Sequence, residues 1–155
     1  KTDKKLVIAG ATSDTDGYVK MLKEMAGDDP NIIFTGFVSG KLLEEIYSNA
    51  YVYVLPSKLE GMPLSPLEAM SYGNCVIGSE IADVVEDKAI LFKKANVEDL
   101  KEKLQMVCDD EQIVRKYKSE ASEYICGKYN WEDVVERTLR VYQKGKKINE
   151  NLNDK

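Results

Sequence analysis

The sequence predicts an α/β fold: an open, doubly wound parallel sheet followed by helices at the C-terminal end. Three observations predict it. Short apolar runs alternate with stretches of helical spacing as far as Phe92, the order expected of a sheet wound with helices. The runs are continuously apolar rather than alternating, as in parallel strands covered on both faces. From Val97 onward only helical patterns remain. In such sheets ligands bind outside the carboxyl ends of the strands, so the loops after the first four strands carry the functional information.

Leu6-Val7-Ile8-Ala9, ending at Gly10, reads as a buried parallel strand. Tyr18 to Ala26 has apolar residues at Val19, Leu22 and Met25, a helical spacing. Ile32 to Thr35 is a second strand, ended by Gly36. Lys41 to Asn49 is a short helix with Leu42, Leu43 and Ile46 inward. Tyr51 to Leu55 is a third strand, rich in β-branched and aromatic residues and stopped by Pro56. A helix over Ser65–Tyr72 ends at Gly73. Cys75-Val76-Ile77 and Ala89 to Phe92 are the fourth and fifth strands. Helices follow over about 97–108, 111–124 and 131–143, and the polar tail 144–155 is expected to fray.

The 155 residues bound the reading to one domain, over 1–143. Hydrophobic residues are 43% and charged residues 32%, ordinary globular values. A net charge of −5 argues against nucleic acid or an anionic membrane as the main partner, while leaving room for a local anion pocket. No apolar run approaches the roughly 20 residues of a membrane span, and the charged start lacks a signal-peptide core. Cys75, Cys108 and Cys126 are few, odd in number and far apart. They predict free thiols and a reducing, cytoplasmic setting. Histidine is absent, which removes the commonest general base and metal ligand. Chemistry then falls to carboxylates, backbone amides, lysines or the substrate.

The loop after the third strand, Pro56 to Glu68, is the most unusual segment. It holds two carboxylates, Glu60 and Glu68, with Gly61, Pro63 and Pro66 between them. Gly61 permits close backbone approach to a ligand. A helix beginning near Ser65 presents free N–H groups and a positive dipole end, a site for an anion such as a diphosphate. Pro63 has no N–H, so the donors are the amides of Met62, Leu64 and Ser65. A plainer reading is equally open here. Ser65-Pro66-Leu67-Glu68 has the form of a capping box with proline at the first helical position, in which Glu68 only caps its helix. Glu60 would then be a solvated loop residue.

Leu55-Pro56-Ser57-x-x-Glu60-Gly61-x-Pro63-x-x-x-Leu67-Glu68-Ala69-Met70-x-x-Gly73 resembles the signature of glycosyltransferase family 4. Val7 to Gly10, Phe34 to Val38 and Tyr129-Asn130-Trp131 extend the resemblance over roughly residues 5–143. It implies the C-terminal, donor-binding domain of a GT-B enzyme, built as two Rossmann-like domains with the active site between them. Such enzymes transfer a sugar from a nucleotide-diphosphate sugar, with retention at the anomeric carbon and without a metal or other cofactor. The resemblance assigns Glu60 to the donor sugar near the reacting carbon and Glu68 to the ribose. Gly61, Met62, Pro63, Leu64 and Ser65 would surround the diphosphate, and Phe37 and Val38 would lie against the base.

The sequence departs from the family pattern in three places. The basic Arg–Lys pair that clamps the diphosphate belongs to a segment preceding the first strand here. With the acceptor domain also outside the chain, the resemblance implies a fragment lacking its first strand and helix, inactive alone. The stretch 78–86 is shorter than usual. Ala11-Thr12 replaces the acidic residue and second glycine common after Gly10.

Three further features have competing explanations. Asp14-x-Asp16 matches the metal-binding pair of glycosyltransferases of the other fold, but also suits a turn and helix start. Asn130 is expected to cap the last helix and Trp131 to pack on the core, against a sugar-stacking role. Lys144-Gly145-Lys146-Lys147 is read as a solvated tail rather than a lipid contact, although the complete enzyme is compatible with peripheral membrane contact. Exposure of Val134, Val135, Leu139, Val141 and Tyr142 would favour self-association. The acceptor expected for the family is a polysaccharide or glycolipid. Two competitors stand beside this reading: a non-catalytic interaction module, and a nucleotide-sugar epimerase on the same scaffold. The epimerase would want titratable groups, often histidine, at its cleft.

Overall fold

Four consecutive residues, Val76-Ile77-Gly78-Ser79, are fully buried and form the central strand of a three-stranded parallel sheet. The computed structural model describes residues 2–11, 16–80 and 83–153. It divides into two compact units, Lys1–Ala50 and Tyr51–Lys155.

The first unit contains β1 (Leu6–Ala9), α1 (Asp16–Ala26), β2 (Ile32–Gly36) and α2 (Gly40–Asn49). β1 and β2 pair in parallel, Leu6 opposite Ile32, with an irregularity between Ile8 and Ala9. β1 is parallel as expected but is not a buried strand, because Leu6 and Val7 are exposed. A two-stranded sheet with two helices offers too little apolar surface to cover both faces of a strand. In α2 the inward face is Leu43, Ile46 and Tyr47, while Leu42 points outward. That i, i+3, i+4 set defines a helix face. Met25, read as an apolar helix position, is also exposed.

The second unit contains β3 (Tyr53–Leu55), α3 (Leu64–Ser71), β4 (Val76–Ser79) and a 3-10 segment (Asp83–Lys88). β5 (Ile90–Phe92), α4 (Val97–Asp109), α5 (Glu111–Lys128) and α6 (Trp131–Asn153) follow. The sheet order is β3-β4-β5, all parallel, with Val54 opposite Ile77 and Ile77 opposite Ile90. Cys75 and Ile77 share a core cluster with Ile90, Phe92, Val107 of α4 and Val114 of α5. α3 packs on β3, β4 and α5 through buried Leu67, Ala69 and Met70. Burial of a single side chain such as Ile77 stabilises by about 2–3 kcal/mol.

Tyr51 and Val52 stand outside β3. The Tyr51 hydroxyl instead donates to the Val107 carbonyl at 2.7 Å. α3 ends as the sequence predicts. Gly73, at φ +73°, and Asn74 donate their N–H groups to Met70 O and Ala69 O, the Schellman pattern that satisfies a helix's last carbonyls. Buried Asn74 adds a bond from Nδ2 to Ala69 O. The sequence reading missed the 3-10 segment, whose Val85 is fully buried. α6 continues to Asn153 rather than fraying after Gln143. The extension contains no proline, so nothing interrupts its hydrogen-bond ladder.

Candidate functional site

The loop between β3 and α3 is held at both ends by side-chain hydrogen bonds. At the β3 end, Ser79, fully buried at the tip of β4, donates its hydroxyl to the Ser57 carbonyl at 2.8 Å. At the helix end, the Tyr53 hydroxyl donates to Ser65 Oγ at 2.7 Å. The seven second-unit residues singled out in the sequence are thereby gathered at the carboxyl end of β3. They are Glu60, Gly61, Met62, Pro63, Leu64, Ser65 and Glu68.

α3 starts one residue earlier than the sequence reading placed it, and this removes the capping-box reading of Glu68. The N-cap is Pro63, no side chain caps the helix, and Leu64 is its first residue. Ser65 lies inside the first turn, so it cannot be the serine of a capping box. Glu68 then falls beyond the third helical position, too far on to reach back to the cap. Pro66 likewise sits at the third position rather than the first. The four N–H groups that a helix start leaves without intrahelical partners are reduced to two, because Pro63 and Pro66 have none. Leu64 and Ser65 supply them. Pro63 is buried, Ser65 and Glu60 are half-buried, and Met62, Leu64 and Glu68 are exposed.

Neither backbone conformation nor packing requires glycine at position 61. Its φ lies outside the left-handed region, and a Cβ built there would meet no heavy atom within 4 Å. A larger side chain would therefore fit the chain as it stands.

Tyr53 is the site residue that sequence reasoning missed. Burial pushes its phenol above the ordinary range. The Glu68 and Glu60 carboxylates act in the same direction, and the Ser65 contact opposes them. Both carboxylates are thus within electrostatic reach of one hydroxyl. The available signal was a tyrosine in an otherwise apolar strand, whose hydroxyl needs a partner once buried.

Met62, Leu64 and Leu67 also line an open cavity of about 580 Å3, with Lys128 to Trp131, Asp133, Val134 and Arg137 on its other side. Asn130 caps α6 as expected, its Oδ1 accepting from Asp133 N at 2.9 Å. Trp131 does not pack on the core. It is 78% exposed beside this cavity, since its place in the first turn of α6 turns it towards the opening. Val134, Val135, Leu139, Val141 and Tyr142 are exposed along the same helix.

Phe37 and Val38 belong to the first unit, in the turn between β2 and α2. Phe37 is 76% exposed and Val38 half-buried. Gly36, at φ +66°, opens that turn with a conformation that disfavours any other residue. Asp14 and the loop residues 81 and 82 lie outside the described residues, and α1 begins at Asp16. Among the described residues no group of three or more acidic or cysteine side chains is arranged to hold a metal. Cys75 is buried, and Cys108 and Cys126 are exposed free thiols. No described helix is long and apolar enough to cross a membrane.

Parallel strands wound with helices, and a helix start at a strand's carboxyl end with Glu60 before it and Glu68 within it, define a Rossmann-like α/β fold with a candidate ligand site. The model of the family Glycosyl transferases group 1 matches residues 1–125, and the chain belongs to that family. It is 31% identical to an uncharacterized glycosyltransferase of Methanocaldococcus jannaschii, over 90% of this chain and 37% of that protein. It is 29% identical to the serotype-specific mannosyltransferase WbdA of Escherichia coli, over 76% of this chain and 15% of that protein. The chain thus spans well under half the length of these curated relatives. Among solved structures it superimposes on Anabaena HepE in complex with UDP and glucose. The TM-score is 0.81 at 15% identity, over 90% of this chain and 40% of that one, which shows a shared Rossmann-like α/β fold over the matched part.

Proposed function

We propose that the chain is the donor-binding part of a retaining glycosyltransferase. It would transfer a sugar from a nucleotide-diphosphate sugar to a polysaccharide or glycolipid acceptor. The observation that carries the reading is Gly61. It sits between Glu60 and the uncapped start of α3, and neither its φ nor its packing requires glycine. A glycine there leaves the backbone open to close approach by a ligand.

In this reading the Leu64 and Ser65 amides, with that of Met62, hold the diphosphate. Charge develops there as the sugar leaves, and donors already aimed at it stabilise the transition state without reorganisation. Glu60 lies beside the donor sugar and stabilises an oxocarbenium-like centre, as carboxylates do in glycosidases. The attacking hydroxyl enters on the face the nucleotide leaves. Glu68 accepts from the ribose hydroxyls, and Phe37 and Val38 contact the base. No metal is assigned a role. The acceptor is held by sequence outside this chain, so the chain alone binds donor, weakly, and completes no transfer. Its free thiols support a cytoplasmic place of action, at the membrane face where the acceptor is a lipid.

Calorimetric titration with UDP, GDP, UDP-glucose and GDP-mannose tests this. Saturable binding of at least one is expected, weakened about tenfold or more by Gly61→Ala and by Glu68→Ala, with the melting temperature of Gly61→Ala unchanged. Wild-type protein that binds none of the four, or Gly61→Ala protein that binds as well as wild type, would refute the reading.

A further inference from the structure

The start of α3 is held in place by a residue outside the glycine- and proline-rich loop. Tyr53 is the first residue of β3 and Ser65 the second of α3. Their hydroxyls meet at 2.7 Å across twelve positions of chain. This bond closes the loop that carries Glu60, Gly61 and Met62. It also engages the serine oxygen, which in a first turn otherwise competes for nearby backbone groups.

The geometry matters because α3 has so few outward donors. Proline at both its N-cap and third position leaves only the Leu64 and Ser65 amides, and one of these belongs to the residue that Tyr53 grips. A small rotation of this turn would misdirect both of them.

We propose that Tyr53 is a positioning residue for the donor diphosphate, its hydroxyl fixing Ser65 so that the Leu64 and Ser65 amides point at the phosphates. The inference rests on the donor-binding reading above and adds the element that aims it. The half-buried phenol stays protonated across the neutral range, raised by burial and by the Glu68 and Glu60 carboxylates, so the hydroxyl remains a donor.

The test uses the complete polypeptide that carries this chain, as wild type, Tyr53→Phe, Ser65→Ala and the double variant. Affinities are measured for UDP and GDP and for UMP and GMP, with melting temperatures alongside. Tyr53→Phe is expected to lower the preference for diphosphate over monophosphate about tenfold. Ser65→Ala should do nearly the same, and the double variant no more than either, since partners in one bond are not additive. A merely structural role would lower the melting temperature and leave that preference where it was, which overturns the proposal. Independent, multiplying effects of the two substitutions would overturn it too. Wild-type protein that binds neither UDP nor GDP would instead remove the donor-binding reading, and this inference with it.

Discussion

β1 and β4 are both four-residue parallel strands, Leu-Val-Ile-Ala and Val-Ile-Gly-Ser, and each is announced in the sequence by a short apolar run, Leu6–Ala9 and Cys75–Ile77. In the structure every residue of β4 is buried, whereas Leu6 is 51% and Val7 42% exposed. β4 has a strand on each side and helices packed against its sheet, while the described pairing of β1 is with β2 alone. The difference teaches that an apolar run reports strand character and parallel pairing. How much cover a strand receives depends on its neighbours, which no local pattern encodes.

Substitution at matched positions would break or sharpen this contrast. Ile77→Ala should cost about 3 kcal/mol, because the side chain is fully buried in the core cluster. Leu6→Ala should cost under about 1 kcal/mol. Denaturant unfolding of both variants measures the gap, and equal losses would erase the comparison.

The next effect depends on pH. Burial pushes the Cys75 thiol from 9.0 up to about 11, with Lys118 opposing the shift. The unfolded chain therefore releases this proton first as pH rises. The stability concerned is fully present below pH 9 and is lost between about pH 9 and 11, by about 3 kcal/mol. Cys75→Ala should flatten that part of the stability–pH curve. In the native protein at pH 8, iodoacetamide should label Cys108 and Cys126 but spare Cys75.

Glycines provide a finer contrast within the second unit. Gly73→Ala should lose about 1 kcal/mol, since φ of +73° is strained for any side chain. Gly61→Ala should lose none, and a melting curve for each separates a glycine the fold requires from one it does not. The smallest effect belongs to Lys88–Glu120, a partly exposed ion pair at 3.0 Å. Lys88→Ala should leave the unfolding midpoint essentially where it is at physiological salt, because water and ions screen the pair.

Much of the fold was legible because periodicity and punctuation are local. The parallel strands, Gly73 as the end of α3 and Asn130 as the cap of α6 could all be read from neighbours in sequence. The Glu60–Glu68 loop was legible as a motif. What it does at its helix end was not, because one residue in the start of α3 exchanges a capping box for two uncapped amides. Tyr53 and Ser79 were missed since their partners lie twelve and twenty-two positions away. Trp131 was misplaced because an aromatic residue after a cap looks the same whether it faces a core or an open cavity.

The central claim is that the Leu64 and Ser65 amides receive a diphosphate. Amide NMR of the wild-type protein titrated with UDP and GDP, each against its monophosphate, tests it most directly. Saturable shifts are expected at Leu64 and Ser65, large with the preferred diphosphate and much smaller with the matching monophosphate. Shifts that leave these two amides still, while others move, would contradict it.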